Sequence, residues 1–335
     1  MKINRKDFLM RSSFITAGIS TGTGALIRAE EPASGKLVNN VSNGKTDKKE
    51  FKINVFSKPL QWLPVPGMVK LAAEAGFDGV DLTIRSNGHV QPENVETDLP
   101  KAVETANKAG ITITMLTTSI NNANDPLTEK VLKTAGALGI RHYRMDWLYY
   151  DANKSISDNL MLIQARMGKL AELNEKYNIH GEYQNHSGKY TPDNYFGSSI
   201  WDLYTVLKNI NSPWLGSQFD IMHATVEGAY SWETDFKILQ PYINSLAVKD
   251  FHWSLKSGKW IPQVVPLGDG MVDLARFFRL IHQTGLKCPM TLHFEYPLGG
   301  AETGAKATIL REEDFLTIIR KDVIMLRKYL NESSE

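Results

Sequence analysis

From residue 52 onward, short apolar runs alternate with helix-patterned stretches at intervals of roughly 30 to 45 residues, a rhythm that fits few folds. The runs are KINVF (52–56), GVDLTI (79–84), ITITML (111–116), IRHYRM (140–145), IHGEYQ (179–184), LGSQFDI (215–221), INSLAVKD (243–250) and PMTLHFEY (289–296). Between the fourth and fifth, Ile156, Leu160, Ile163, Met167, Leu170 and Tyr177 recur at steps of three and four residues, or two such steps. That spacing predicts a helix over 155–177. In MVDLARFFRLIHQTG (271–285), Leu274, Phe277, Phe278 and Ile281 share a face and Gly285 supplies the stop. EDFLTIIRKDVIMLRKYL forms the last helix. Eight strand–helix units predict a single-domain α/β fold, a (β/α)8 barrel over 51–335. Glycine-punctuated turns (AEAGFDG, NKAGIT, GALGIR) precede strands two, three and four and mark the stability face. The active site is then expected on the opposite rim, at the C-terminal ends of the strands.

The residues before Phe51 stand apart. NRKDFLMRSSFITAGISTGTGALIRAEE has a basic head at Arg5 and Lys6, then a modestly apolar, Gly- and Thr-rich run from Phe14 to Ile27. That run is too short and polar for a bilayer span. Residues 1–29 are similar to a Tat export signal, with Lys6 where the second arginine usually sits, and residues 30–50 read as a polar linker. Export to the periplasm is expected, and no other segment predicts a membrane span. Basic and acidic residues number 38 and 37, so no electrostatic footprint for nucleic acid exists. The one cysteine, Cys288, removes intramolecular disulfides and Cys-cluster zinc. Seven tryptophans and twelve tyrosines serve core packing but also offer sugar-stacking surfaces, with Trp62 a candidate.

Chemistry concentrates at the predicted strand ends. In GEYQNHSG, Glu182, Gln184 and His186 share a parity and would face one side of a strand. In SQFDIMHA, Asp220 ends a strand at the parity of Gln218, suited either to a divalent cation or to capping the next helix. In LHFEYPLGGAE, His293 and Glu295 alternate and could bind a metal or move a proton. Lys249, beside Asp250, is placed to hold a substrate oxyanion or act as acid or base, or else both are solvated. Arg85 and His89 are candidate hydroxyl binders, with ordinary loop exposure as the alternative. The GDG at 268–270 lacks the spacing of a nucleotide loop.

The order of FDGVDLTIR, YQNHSG, FDIMHA, VKDFHW, PLGDGMVDLARFF and LHFEYPLGGAE resembles the xylose-isomerase-like TIM-barrel family of sugar isomerases and epimerases over 52–330. The resemblance implies one divalent metal (Mn, Mg, Zn or Co) held by a Glu on strand five, an Asp on six, a His on seven and a Glu on eight. It also implies proton removal next to a metal-bound carbonyl. Asp220 matches strand six. On strand five the family's ENH reads Gln184-Asn185-His186, with Glu182 the nearest acid. On strand seven Ala247 stands for the His, with Lys249 and His252 nearby, and on strand eight His293 or Glu295 takes the ligand place.

The expected activity is metal-dependent isomerisation or epimerisation of a small-molecule sugar or keto-sugar. Glu182, Gln184, Asp220 and Glu295 are its metal candidates, and Arg85, His89, His186 and Trp62 its substrate candidates. Glu295 would act as base, assisted by Lys249 or His293. A keto-sugar lyase or hydratase needs the same enolate but only one carboxylate base. A non-catalytic carbohydrate-binding barrel is the rival from another class. An abasic-site endonuclease is disfavoured by neutral charge and by too few rim histidines and acids for a zinc cluster. A homo-oligomer remains open.

Overall fold

The protein is described by a computed structural model covering residues 51–188 and 195–333. The signal-like residues 1–29 and the whole linker 30–50 lie outside the described residues, as do 189–194. Eight parallel strands close into a barrel: β1 (Ile53–Phe56), β2 (Gly79–Ile84), β3 (Thr112–Thr118), β4 (His142–Arg144), β5 (His180–Gln184), β6 (Leu215–Asp220), β7 (Ile243–Val248) and β10 (Met290–Leu292). Closure is made by β1, which pairs with β2 on one side and β10 on the other. Two further strands, β8 (Asp250–Lys256) and β9 (Lys259–Val265), form a separate antiparallel hairpin.

The helices are α1 (Val65–Ala75), α2 (Val95–Lys108), α3 (Pro126–Ala137), α4 (Ile156–Tyr177), α5 (Ile200–Ile210), α6 (Ile221–Gly228), α7 (Trp232–Leu239), α8 (Leu274–Thr284) and α9 (Glu312–Glu332). Ile53, Val55, Val80 and Leu82 on the strands and Leu99, Leu132, Phe277 and Ile319 on the helices are buried in one apolar cluster. Strands buried on both faces lose the polar–apolar alternation of a surface strand, which is why they read as near-continuous apolar runs.

The barrel interior is polar where apolar layers are usual. Gln218 of β6 and Thr291 of β10 both donate to Met115 Sδ of β3, a contact between non-adjacent strands that only the lumen allows. Asp81, Thr117, Glu182 and Ser245 are buried with it.

Two expectations need correction. In α4, Ile156 is 61% exposed, while Asn159 and Asn174 are buried in the seam. Asn174 earns its place by accepting from Tyr143 Oη and donating to the Trp214 carbonyl. The seventh unit also contains the β8–β9 hairpin, which periodicity alone did not predict. Its turn is Ser257-Gly258, both with positive φ (50° and 76°), as a two-residue primed turn requires.

Asp250 opens that hairpin and is buried, not solvated. Its carboxylate accepts the backbone N–H groups of Phe251, Gly268, Gly270 and Val272 at 2.9–3.1 Å. A Cβ at Gly270 would lie 2.1 Å from Asp250 Oδ1, so the GDG stretch is a turn folded around this carboxylate.

Candidate active site

Lys249 directly follows β7 and is 2% exposed. Its Nζ lies 3.2 Å from Asp220 Oδ2 and 3.0 Å from Glu295 Oε2, and donates to His223 Nε2 at 2.8 Å. The C-terminal rim therefore gathers an ammonium between two carboxylates, all from strand ends or the residues just beyond them. Burial alone would lower the Lys249 pKa, but Asp220 and Glu295 overcome it and raise it. The ammonium is thus secure at neutral pH.

Asp220 answers both readings of its position with different oxygens. Oδ1 accepts the His223 backbone N–H at 3.0 Å and caps α6. Oδ2 takes Lys249 and the Gln184 amide, the latter at 2.7 Å. Asn185 holds the Asp220 backbone from both sides, donating to its carbonyl and accepting its N–H. Glu295 is a quarter exposed and its other oxygen meets Lys58 Nζ at 3.2 Å. Burial would raise its pKa, but Lys249 and Lys58 hold it well below the usual carboxylate range.

His223 extends the cluster. Because Nε2 accepts from Lys249, its proton sits on Nδ1 and points to Ser187 Oγ at 2.9 Å, a tautomer inferred from the bonding pattern. Burial, then Lys249, pushes its pKa well down, so it is neutral. His186 lies against it with ring centroids 3.7 Å apart, and against Trp147 at 4.8 Å. Burial, then His223, pushes the His186 pKa down to about 2. His293 is buried and lies tilted against Phe56, ring centroids 4.6 Å apart, and neither ring nitrogen has a partner among the described residues.

Three expected site residues do other work. Glu182 is fully buried, bonded to His142 Nδ1 at 2.6 Å and to Ser245 Oγ, so it serves the barrel interior and not a metal. His89 bonds the Ser57 and Thr83 hydroxyls and the Leu60 carbonyl, tying two loops together. Burial lowers its pKa to about 4, so it stays neutral. Trp62 packs edge-on against Phe315 of α9, its centroid 5.5 Å away. Lys58, Arg144, Trp147, Ser187 and His223 were missed. The alternation of His142 and Arg144 in IRHYRM was the available signal for one of them.

The donor set does not fit the divalent metal that the resemblance implies. Gln184 Oε1 already accepts from Arg144 Nη1 at 2.7 Å, and its amide faces Asp220. Ala247 offers no donor where a histidine is needed. The carboxylates of Asp220 and Glu295 converge on a lysine ammonium. Among the described residues no three of His, Cys, Asp and Glu are grouped to hold an ion.

A search of curated proteins found no match. Among solved structures, a probable 3-DHS dehydratase from Bacillus anthracis is similar at 15% identity and a TM-score of 0.61, covering 82% of this chain and 98% of that one. A 3-keto-D-glucoside 4-epimerase from E. coli is similar at 11% identity and a TM-score of 0.62, covering 83% and 100%. A xylose isomerase-like protein from Mycobacterium smegmatis, in complex with magnesium, is similar at 14% identity and a TM-score of 0.57, covering 82% and 98%. The description of a xylose isomerase-like TIM barrel matches residues 69–313. With eight parallel strands closed and that match over most of its length, the chain belongs to the xylose isomerase-like TIM barrel family.

Proposed function

We propose that this protein is a sugar isomerase or epimerase-type enzyme that enolises a sugar or keto-sugar, with the Lys249 ammonium in the role a metal cation plays elsewhere. The observation that carries this reading is the buried Lys249, touching Asp220, Glu295 and His223 at the rim where barrel enzymes react. A fixed ammonium in a site of low dielectric stabilises the negative charge that develops on a carbonyl oxygen as the neighbouring C–H is broken. Asp220 and His223 aim it. Glu295, ionised and partly exposed, accepts the proton, and neutral His293 is poised to return or relay it. Trp147 and His186 form an aromatic wall on which a sugar ring can lie.

The burial of Glu182 favours a second reading. Glu295 is then the one carboxylate at this lysine open to substrate, and elimination from the same enolate needs a single base. Residues 1–29 support an exported enzyme acting on free sugars.

Incubation with an aldose and keto-sugar panel in deuterated water tests these readings. Incorporation of deuterium next to the carbonyl, unaffected by chelator and lost in Lys249→Met, is the expected result. Loss of exchange on chelation, with recovery on adding Mn or Mg, would sink the lysine reading. A dehydrated, ultraviolet-absorbing product would favour elimination over epimerisation.

A further inference from the structure

Three polar side chains in the barrel mouth lack the partners that buried polar groups ordinarily have. Arg144 is 5% exposed, makes one hydrogen bond, to the neutral Gln184 amide, and leaves its buried Nε without a partner. Among the described residues neither Arg144 nor the half-buried Arg85 has a carboxylate within ion-pair distance, and the Arg85 guanidinium makes no hydrogen bond. His293 has two buried ring nitrogens with no partner. These side chains share a neighbour. Phe56 has Arg85 Cζ 5.8 Å and Arg144 Cζ 5.7 Å from its ring centroid, with the His293 ring 4.6 Å away. Arg144 also lies over Trp147 at 5.0 Å.

A guanidinium cannot shed its charge in a protein, so burying one without a counter-ion costs free energy that stacking on two rings only partly offsets. Asp81 does not supply the counter-ion. Its Oδ1 accepts from Thr117 and its Oδ2 has no partner, and neither it nor Asp146, which attracts both guanidiniums, lies within ion-pair distance of them. A site with two unpaired guanidiniums and a free imidazole is built for an oxyanion brought by the ligand.

We infer that Arg85, Arg144 and His293 form a subsite for the carboxylate of a sugar acid, so that the molecule enolised at Lys249 is a uronate or keto-acid rather than a neutral sugar. The turnover part rests on the proposed function, whereas the binding part does not. A planar carboxylate suits the guanidinium fork. Of the cations in the mouth, Lys58 and Lys249 are already paired to carboxylates, which leaves Arg85 and Arg144 to meet an anion brought by the ligand.

Calorimetry on the full chain, at fixed ionic strength, tests this with D-glucuronate, D-galacturonate, D-glucose, glucose 6-phosphate and inorganic phosphate. A uronate is expected to bind at least about 30-fold more tightly than glucose, the scale set by a buried charge pair. Arg144→Met should erase that preference. Arg144→Lys should restore part of it, and Arg85→Gln, at a half-exposed position, carries the test if the Arg144 variants do not fold. Equal affinity for glucose and both uronates would overturn the subsite, as would a preference unchanged in Arg144→Met and Arg85→Gln. Tighter binding of glucose 6-phosphate or inorganic phosphate would overturn the carboxylate assignment. Uronate binding without deuterium exchange would sink the enolising reading and keep the subsite. Exchange on neutral sugars alone would do the reverse.

Discussion

Lys249 is the cation on which two rim carboxylates converge. Its ammonium neutralises two carboxylates that would otherwise repel each other in a buried site, so removing it exposes both costs at once. Lys249→Met is expected to destabilise the protein by about 3–5 kcal/mol, the usual penalty for breaking a buried pair, read from urea unfolding. Adding Asp220→Asn should recover part of that loss, and a purely additive double variant would argue against the pairing. Glu295→Gln keeps shape while removing the proposed proton acceptor. It should lower deuterium exchange by about 10²- to 10⁴-fold in protein shown by circular dichroism to be folded.

The β8–β9 hairpin is organised around one buried carboxylate and the C-terminal helix α9 carries another. Asp250→Ala would leave four backbone N–H groups without their acceptor. A loss on the order of 3 kcal/mol is expected, with faster amide exchange over 265–272. Asp322 of α9 accepts from Tyr296 Oη at 3.0 Å, and burial raises its pKa from 3.8 to about 7. The folded state therefore holds this proton more tightly than the unfolded chain does. Its contribution to stability is full below about 3.8 and declines as pH climbs to about 7. Asp322→Asn should flatten the fall in unfolding midpoint between pH 4 and 7 and leave a more stable protein at pH 8. An unchanged slope would assign the pH dependence to other groups.

In the molecule as a whole, barrel closure by β1 against β10 makes the first and last strands neighbours. Residues 51–335 are accordingly expected to unfold in one transition whether or not residues 1–50 precede them, and coincident fluorescence and circular dichroism curves would check this. Fused to a reporter, residues 1–29 should carry it out of the cytoplasm, and Arg5→Lys with Lys6→Gln should retain it. Export of the double variant at the original level would show that the basic head is not read.

The closed (β/α)8 barrel and the placement of Asp220, Lys249 and Glu295 at one rim were legible from residue patterns. Strand parity, a local property of the backbone, sets which side chains share a side, and the repeat of strand–helix units limits the ways the sheet can close. What each polar residue does there was not legible, because that depends on depth in the barrel and on partners far away in the chain. Glu182 and Gln184 share a parity, yet one serves the barrel interior with His142 and Ser245 while the other faces Arg144 and Asp220. Asp220 and Lys249 are each ambiguous in isolation. Only folding places that ammonium within 3.2 Å of both carboxylates, where low dielectric and shared burial make charge balance, and not residue type, decide whether a metal fits.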